Sequence, residues 1–255
     1  MPKIKLYVRS VAEFVDTFVK FDEDWDTVWY RGQGDSGWDL KPRLYRLKKP
    51  DEFEIRVDFE RVVIQLAQRE PADEWDWYFL MQHYGAPTRL LDWTDGALLA
   101  LYFAVKDNVK QREMRKKAGR QTCDAAVWVM DPGWLNLVSI GTKLILLKDT
   151  VEAKRYLPLP FRRKKRPKLP ISIDPPHVDR RLAAQRSHFT LHGVDPLGIE
   201  TAKRRSRHNR LRKIAVDGSK GDELLKQLAA CGISETTVFP DLEGLGREVE
   251  YNWSE

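Results

Sequence analysis

The chain has 255 residues, of which 42% are hydrophobic and 32% charged, and Lys+Arg 44 against Asp+Glu 38 leaves a formal charge of +6. That composition excludes a disordered protein, and the length suits one large domain or a domain with an appended lobe. Cys123 and Cys231 alone give neither a disulfide framework nor a cysteine-based zinc site. The absence of an apolar run of about 18 residues and of a leading apolar h-region predicts a cytoplasmic protein with no membrane partner.

Residues 3–9 alternate as a strand, and Ser10 with Glu13 forms a capping-box pair that predicts a helix to about Lys20. Residues 1–24 therefore read as a strand–helix extension ahead of a main domain over 25–250. Residues 28–31 read as a strand entering a turn that holds Gly32, Gly34 and Gly37. Helical periodicity over 51–69 is followed by a second helix over 73–83, which Gly85 and Pro87 stop. Residues 88–93 read as a buried strand. The helix over 97–105 is apolar all round and belongs in the core.

Residues 106–120 are charged surface, and 124–130 and 143–147 read as strands. The proline-rich, basic stretch 156–178 reads as an extended, mobile loop. Strands follow at 189–192 and 211–216, then a helix over 222–231 and a last strand over 236–239. Strands and helices do not interleave regularly. The fold class is therefore α+β: a single domain with a central mixed, largely antiparallel sheet flanked by helices.

The densest run of committed chemistry is Gln82-His83-Tyr84-Gly85-Ala86-Pro87-Thr88-Arg89-Leu90-Leu91-Asp92-Trp93-Thr94. Polar groups placed between two core elements must be paired or used, because an unsatisfied buried one costs about 1–3 kcal/mol. His83 either interacts with the end of its helix or serves as a base. Asp92 or Thr94 either caps the apolar helix or lines an anion site at its N-terminus. Arg31, closing an apolar strand, either meets a carboxylate of the fold or binds a ligand phosphate. Arg43 and Arg46 would extend such a phosphate cradle.

Gly32, Gly34 and Gly37 fit G-x-G-x-x-G, but Pro42 and the lack of a following helix argue against a dinucleotide fold. His188 and His192 lie some 13 Å apart on a strand, too far to share a metal. No metal site is expected.

The segments Tyr30-Arg31-Gly32-Gln33, Leu40 to Leu44, the 82–94 run, Ala100 to Ala104 and Thr237 to Gly244 together resemble the FRG domain, a bacterial family named for a Phe-Arg-Gly motif. Tyr30 stands in place of that Phe, and the resemblance spans about 25–250. The family implies a mobile-element or phage-defence context.

The order of elements also resembles the ADP-ribosyltransferases. Arg31 ends a first strand, Asp92-Trp93-Thr94 stands where those enzymes carry Ser-Thr-Ser, and Gln185 stands where they carry a Glu. That resemblance implies an ADP-ribosyltransferase-like fold and NAD as substrate, cleaved through an oxocarbenium-like transition state. The catalytic residues implied are Arg31, His83, Asp92 and Gln185. NAD would be held by Arg31, Gly32, Gln33, Arg43, Tyr84, Arg89, Trp93 and Thr94.

The basic tracts, Arg162, Arg163, Lys164, Lys165 and Arg166 with Arg204 and Arg205, would bind nucleic acid. The expected function is an ADP-ribosyltransferase-like effector or toxin that modifies a macromolecule, nucleic acid first, in a defence or toxin–antitoxin setting with an antitoxin or other defence protein as partner. The alternatives are a nucleic-acid-binding or nuclease-like effector without NAD, and a regulatory module whose 82–94 run is a structural knot of Asp92 with Arg89 or Arg31.

Overall fold

The computed structural model describes residues 6–22, 25–63, 71–157, 166–175 and 184–253. One mixed eight-stranded sheet runs through it in the order β1-β8-β4-β2-β3-β7-β6-β5. The strands are β1 (Tyr7–Val8), β2 (Trp29–Gln33), β3 (Leu90–Thr94), β4 (Ala125–Met130), β5 (Leu146–Leu147), β6 (Ile171–Asp174), β7 (Ser187–Leu191) and β8 (Leu211–Val216). Only the outermost pairs, β1–β8 and β5–β6, are parallel. The helices are α1 (Val11–Asp22), α2 (Glu52–Val63), α3 (Glu74–His83), α4 (Ala97–Lys117), α5 (Pro132–Ile140), α6 (Val151–Lys154), α7 (Gly198–Arg205), α8 (Gly221–Ala230), α9 (Glu235–Val238) and α10 (Leu242–Trp253). The α+β class and the mixed, largely antiparallel sheet flanked by helices stand as expected.

Side chains alternate across each strand, so each strand feeds two cores. Tyr30, Val127 and Ile214 face α4, α1 and α8, where Phe14, Leu101 and Leu224 are fully buried. Leu90, Phe189 and Leu191 face α3, packing on Trp75, Tyr78 and Phe79. On the reverse face Trp29, Leu91, Trp93, Trp128 and Trp134 form a third core with Ile199 of α7. Register places Tyr30 opposite Thr94, Asp92 opposite Phe189 and Leu90 opposite Leu191. Helices α3 and α4 therefore cover the same sheet face on either side of the β2–β3 boundary.

Gly32 makes the α4 side possible. A Cβ there would collide with the Ala100 carbonyl and the Ala104 amide of α4, so only glycine admits this approach of strand to helix.

Several expectations are corrected. The extended loop over 156–178 contains β6 at Ile171–Asp174, buried and paired with β7, while 158–165 and 176–183 lie outside the described residues. The expected strand at 236–239 is largely the helix α9, because Ser234 and Thr237 close a reciprocal capping box. α4 runs twelve residues past 105 and carries the charged stretch, with Asn108 buried and Lys110, Glu113, Lys116 and Lys117 exposed. The helices α5, α6, α7 and α10 were not expected. The N-terminal strand and helix are part of the main sheet and core, through β1–β8 pairing and burial of Phe14.

Candidate functional site

β2 and β3 are in register at one pair alone, Tyr30 with Thr94. Where that ladder stops, the Arg31 guanidinium reaches across and donates Nη1 to the Asp92 carbonyl at 2.6 Å, with Asp92 Oδ2 3.7 Å away. Above this junction, between the C-terminal end of α3 and the middle of α4, lies a cleft of about 720 Å³. That volume falls in the range of small-molecule sites.

The carboxylate of Asp92 is the fixed point of the cleft. Gln82 Nε2 donates to both of its oxygens at 2.9 Å, and Thr88 Oγ1 donates to Gln82 Oε1 at 2.5 Å. The Thr88 hydroxyl thus decides which end of the Gln82 amide meets Asp92. The carboxylate is still 57% exposed and so open to a ligand.

Three guanidinium groups share the space. Arg31 is 18% exposed, and its Nε is buried without a partner among the described residues. Burial pushes Arg31 below its ordinary pKa, the Asp92 charge opposing this and Arg46 adding to it. Arg43 and Arg46 are exposed on the rim. Arg43 Nη1 donates to Gly85 O at 2.5 Å, and Gly85 itself needs its positive φ of 74° to turn the chain out of α3. Burial lowers Arg46 as well, and Arg43 reinforces the fall.

Aromatic rings form the far wall: Tyr30, Phe103 and Phe239. Phe239 meets Phe103 edge-on at 6.0 Å and carries the Arg247 guanidinium 5.0 Å from its centroid. Glu235, beside it, is buried and paired with Lys106, Arg247 and the Tyr102 hydroxyl, which pins this segment to α4.

The structure brings Arg31, Gly32, Arg43, His83, Asp92, Thr94 and Gln185 of the expected set to this one cleft. His83 stands edge-on to Tyr84, centroids 4.9 Å apart. Trp93 borders the cleft, but its indole is buried in the reverse-face core and donates to Thr190 Oγ1 at 3.0 Å. Other expected residues lie elsewhere. Gln33 is buried between the Asp39 carbonyl and the Trp128 indole N–H. Tyr84 is 70% exposed beyond the rim.

Arg89 is 0% exposed and belongs to the fold. Its Nε donates to Glu52 Oε1 at 2.8 Å and its Nη1 to His192 O at 2.5 Å, while Nη2 donates to the Tyr156 carbonyl. Burial alone would lower this guanidinium, but Tyr78 and Glu52 outweigh it and hold it above its ordinary range. Arg166, expected on nucleic acid, lies 2.8 Å from the other Glu52 oxygen. Arg162, Arg163, Lys164 and Lys165 lie outside the described residues. Arg204 and Arg205 are exposed on α7.

His188 and His192 both leave the cleft. His188 Nδ1 pairs with Asp174 Oδ1 at 2.5 Å, and its ring stacks on Trp29. His192 is fully buried, and burial pushes its imidazole down to about 3. Among the described residues no group of three or more His, Cys, Asp or Glu is placed to hold a metal ion, and no helix is long and apolar enough to cross a membrane.

Sequence reasoning gave no site role to Gln82, Phe103, Asp107 or Phe239, all of which line the cleft. Gln82 carried a signal: it precedes Asp92 in the same dense run. Phe239 was hidden by its placement in a strand.

The family model of the FRG domain matches residues 26–113. That span is narrower than the resemblance over 25–250, running from just before β2 to near the end of α4. It contains Arg31, Arg43, Arg46, Gln82, His83, Asp92 and Phe103, but not Gln185 or Phe239. Neither a curated protein nor a solved structure matches the chain.

Proposed function

We propose, taking residues 26–113 as an FRG domain, that the cleft binds NAD and transfers its ADP-ribosyl group to an acceptor. The observation that carries this reading is a carboxylate, Asp92, fixed by Gln82 and Arg31 inside a cleft that also holds Arg43 and Arg46. Arg43 and Arg46 meet the pyrophosphate on the rim, where planar guanidinium groups suit phosphate oxygens. The rings of Phe103 and Phe239 give flat apolar surface for a base or nicotinamide.

Bound NAD supplies the C1′–nitrogen bond: its electron pair leaves with nicotinamide, an acceptor oxygen or nitrogen bonds C1′, and the acceptor's proton is released. Asp92 stabilises the positive charge that develops at the sugar, because preorganised charge is the largest lever on such a step. Its two oxygens are held by one amide, so little reorganisation is needed. The resemblance would put Gln185 in place of the transferases' carboxylate; of the two carboxylates that line the cleft, Asp92 and Asp107, Asp92 is the one that Gln82 and Arg31 fix. His83, at the end of α3, takes the acceptor's proton.

The test is incubation with labelled NAD, alone and with RNA, DNA and protein, using wild type and Asp92→Asn. Label transfer by wild type, reduced about 10²–10³-fold in the variant, is expected. Transfer at the wild-type rate by Asp92→Asn would falsify the assignment of Asp92.

A further inference from the structure

The rim of the cleft continues into a second cationic surface. Leu40 N donates to Glu200 Oε1 of α7 at 3.0 Å, which fastens the segment after β2 to that helix. Arg43, only three residues on, already lines the cleft, and three residues span at most about 11 Å. The last turn of α7 exposes Lys203, Arg204 and Arg205, while Arg43 and Arg46 are exposed on the rim side of the same junction. Asp39 lies in the field of both Arg46 and Lys213, and Lys203 acts on Lys213. Leu40 packs in the reverse-face core with Ile199 of α7 while Arg43 and Arg46 line the cleft, so this segment carries the cationic surface round from α7 to the rim. Trp38, in that segment and half-buried, sits 6.0 Å under the Arg46 guanidinium.

We propose that this surface, from α7 over residues 38–48 to the cleft mouth, is the docking track of a single-stranded nucleic acid, with a nucleotide of that strand entering the cleft as the acceptor. The acceptor role rests on the NAD reading above; the track itself does not. A line of cations with an interleaved indole matches a strand's alternation of phosphates and bases, since stacking on an aromatic ring needs no particular base. A single strand presents its bases to Trp38 and to the cleft, whereas a duplex keeps them stacked inside.

The test is fluorescence anisotropy of the full chain with a labelled single-stranded oligonucleotide, its duplex, and phosphatidylserine vesicles, over a range of salt. Wild type is expected to bind the single strand more tightly than the duplex. The exposed triple variant Lys203→Gln, Arg204→Gln, Arg205→Gln should flatten the log–log salt slope by about 2, some 0.7 for each phosphate that the variant leaves unneutralised. Trp38→Ala should weaken single-strand binding with the slope unchanged. Unaltered affinity and slope in the triple variant would overturn the track, as would equal binding of duplex, or vesicle binding that the triple variant abolishes without any oligonucleotide binding. NAD titration of the triple variant separates the two readings. NAD binding at the wild-type level by the triple variant, with its oligonucleotide binding weakened, supports the track, and oligonucleotide binding by a wild type that ignores NAD removes the acceptor role.

Discussion

Arg89 and Asp92 are three residues apart, at and just before β3, and they occupy opposite environments. Around Arg89 every element is closed: Glu52, Tyr78, Tyr156 and His192 surround it with no exposure. Around Asp92 the side-chain partners are Gln82 and Arg31, and more than half of the side chain stays exposed. Arg31 makes the same contrast within one residue type, since it spends one donor on a backbone carbonyl and keeps Nε unpartnered among the described residues. A saturated charge holds a fold together, whereas one left half-satisfied beside a cavity is available for a ligand. β3 carries the second kind, and the residue that leads into it carries the first.

The largest effect should come from the closed half. Arg89→Ala takes one guanidinium from the buried Glu52 carboxylate, which keeps Arg166 and the Tyr78 hydroxyl, and unpairs the His192 and Tyr156 carbonyls; it is expected to cost about 3–5 kcal/mol in chemical denaturation. A loss under about 1 kcal/mol would erase the distinction between the two regions. Gly32→Ala comes next, at about 1–3 kcal/mol, because the added methyl meets backbone of α4 that cannot rotate away.

His192 adds a pH dependence to the same closed region. Its imidazole is held down to about 3 by burial, the Asp195 region opposing and Arg89 and Arg31 adding, against 6.5 when unfolded. The unfolded chain therefore binds the extra proton. The stabilising contribution is complete above the unfolded value and is lost as pH falls towards the folded one. By pH 5 the loss is about 2 kcal/mol. Stability curves at pH 7.5 and 5 should diverge less for His192→Gln than for wild type. Parallel losses would mean that the imidazole is already charged in the fold.

The smallest stability effect belongs to the open half. Asp92→Asn should change the free energy of unfolding by no more than about 0.5 kcal/mol, as exposed substitutions do. A loss comparable to that of Arg89→Ala would make Asp92 a structural residue and return the 82–94 run to a knot.

Much of this arrangement was legible from local chemistry. The end of α3 was marked by Gly85 and the apolar character of α4 by its composition, while the grouping of Gln185 with Arg31, His83 and Asp92 came only from the resemblance in order of elements. What escaped notice had physical causes. Thr236, Thr237 and Val238 are β-branched and suggest a strand, but the Ser234 cap decides for helix. α5 did carry its signals, Asp131 as N-cap with Pro132 after it and Gly141 at the left-handed end, and these could have been read. Nothing near Arg31 or Arg89 in sequence tells which one is buried. That depends on Glu52, Tyr156 and His192, which the chain brings from 37, 67 and 103 residues away.

Calorimetric titration of the full chain with NAD, for wild type and for Arg31→Ala, tests the central claim most directly. The cleft as described predicts saturable binding by wild type and its loss in a folded Arg31→Ala protein. No heat of binding with wild type, or equal affinity in both, would contradict it.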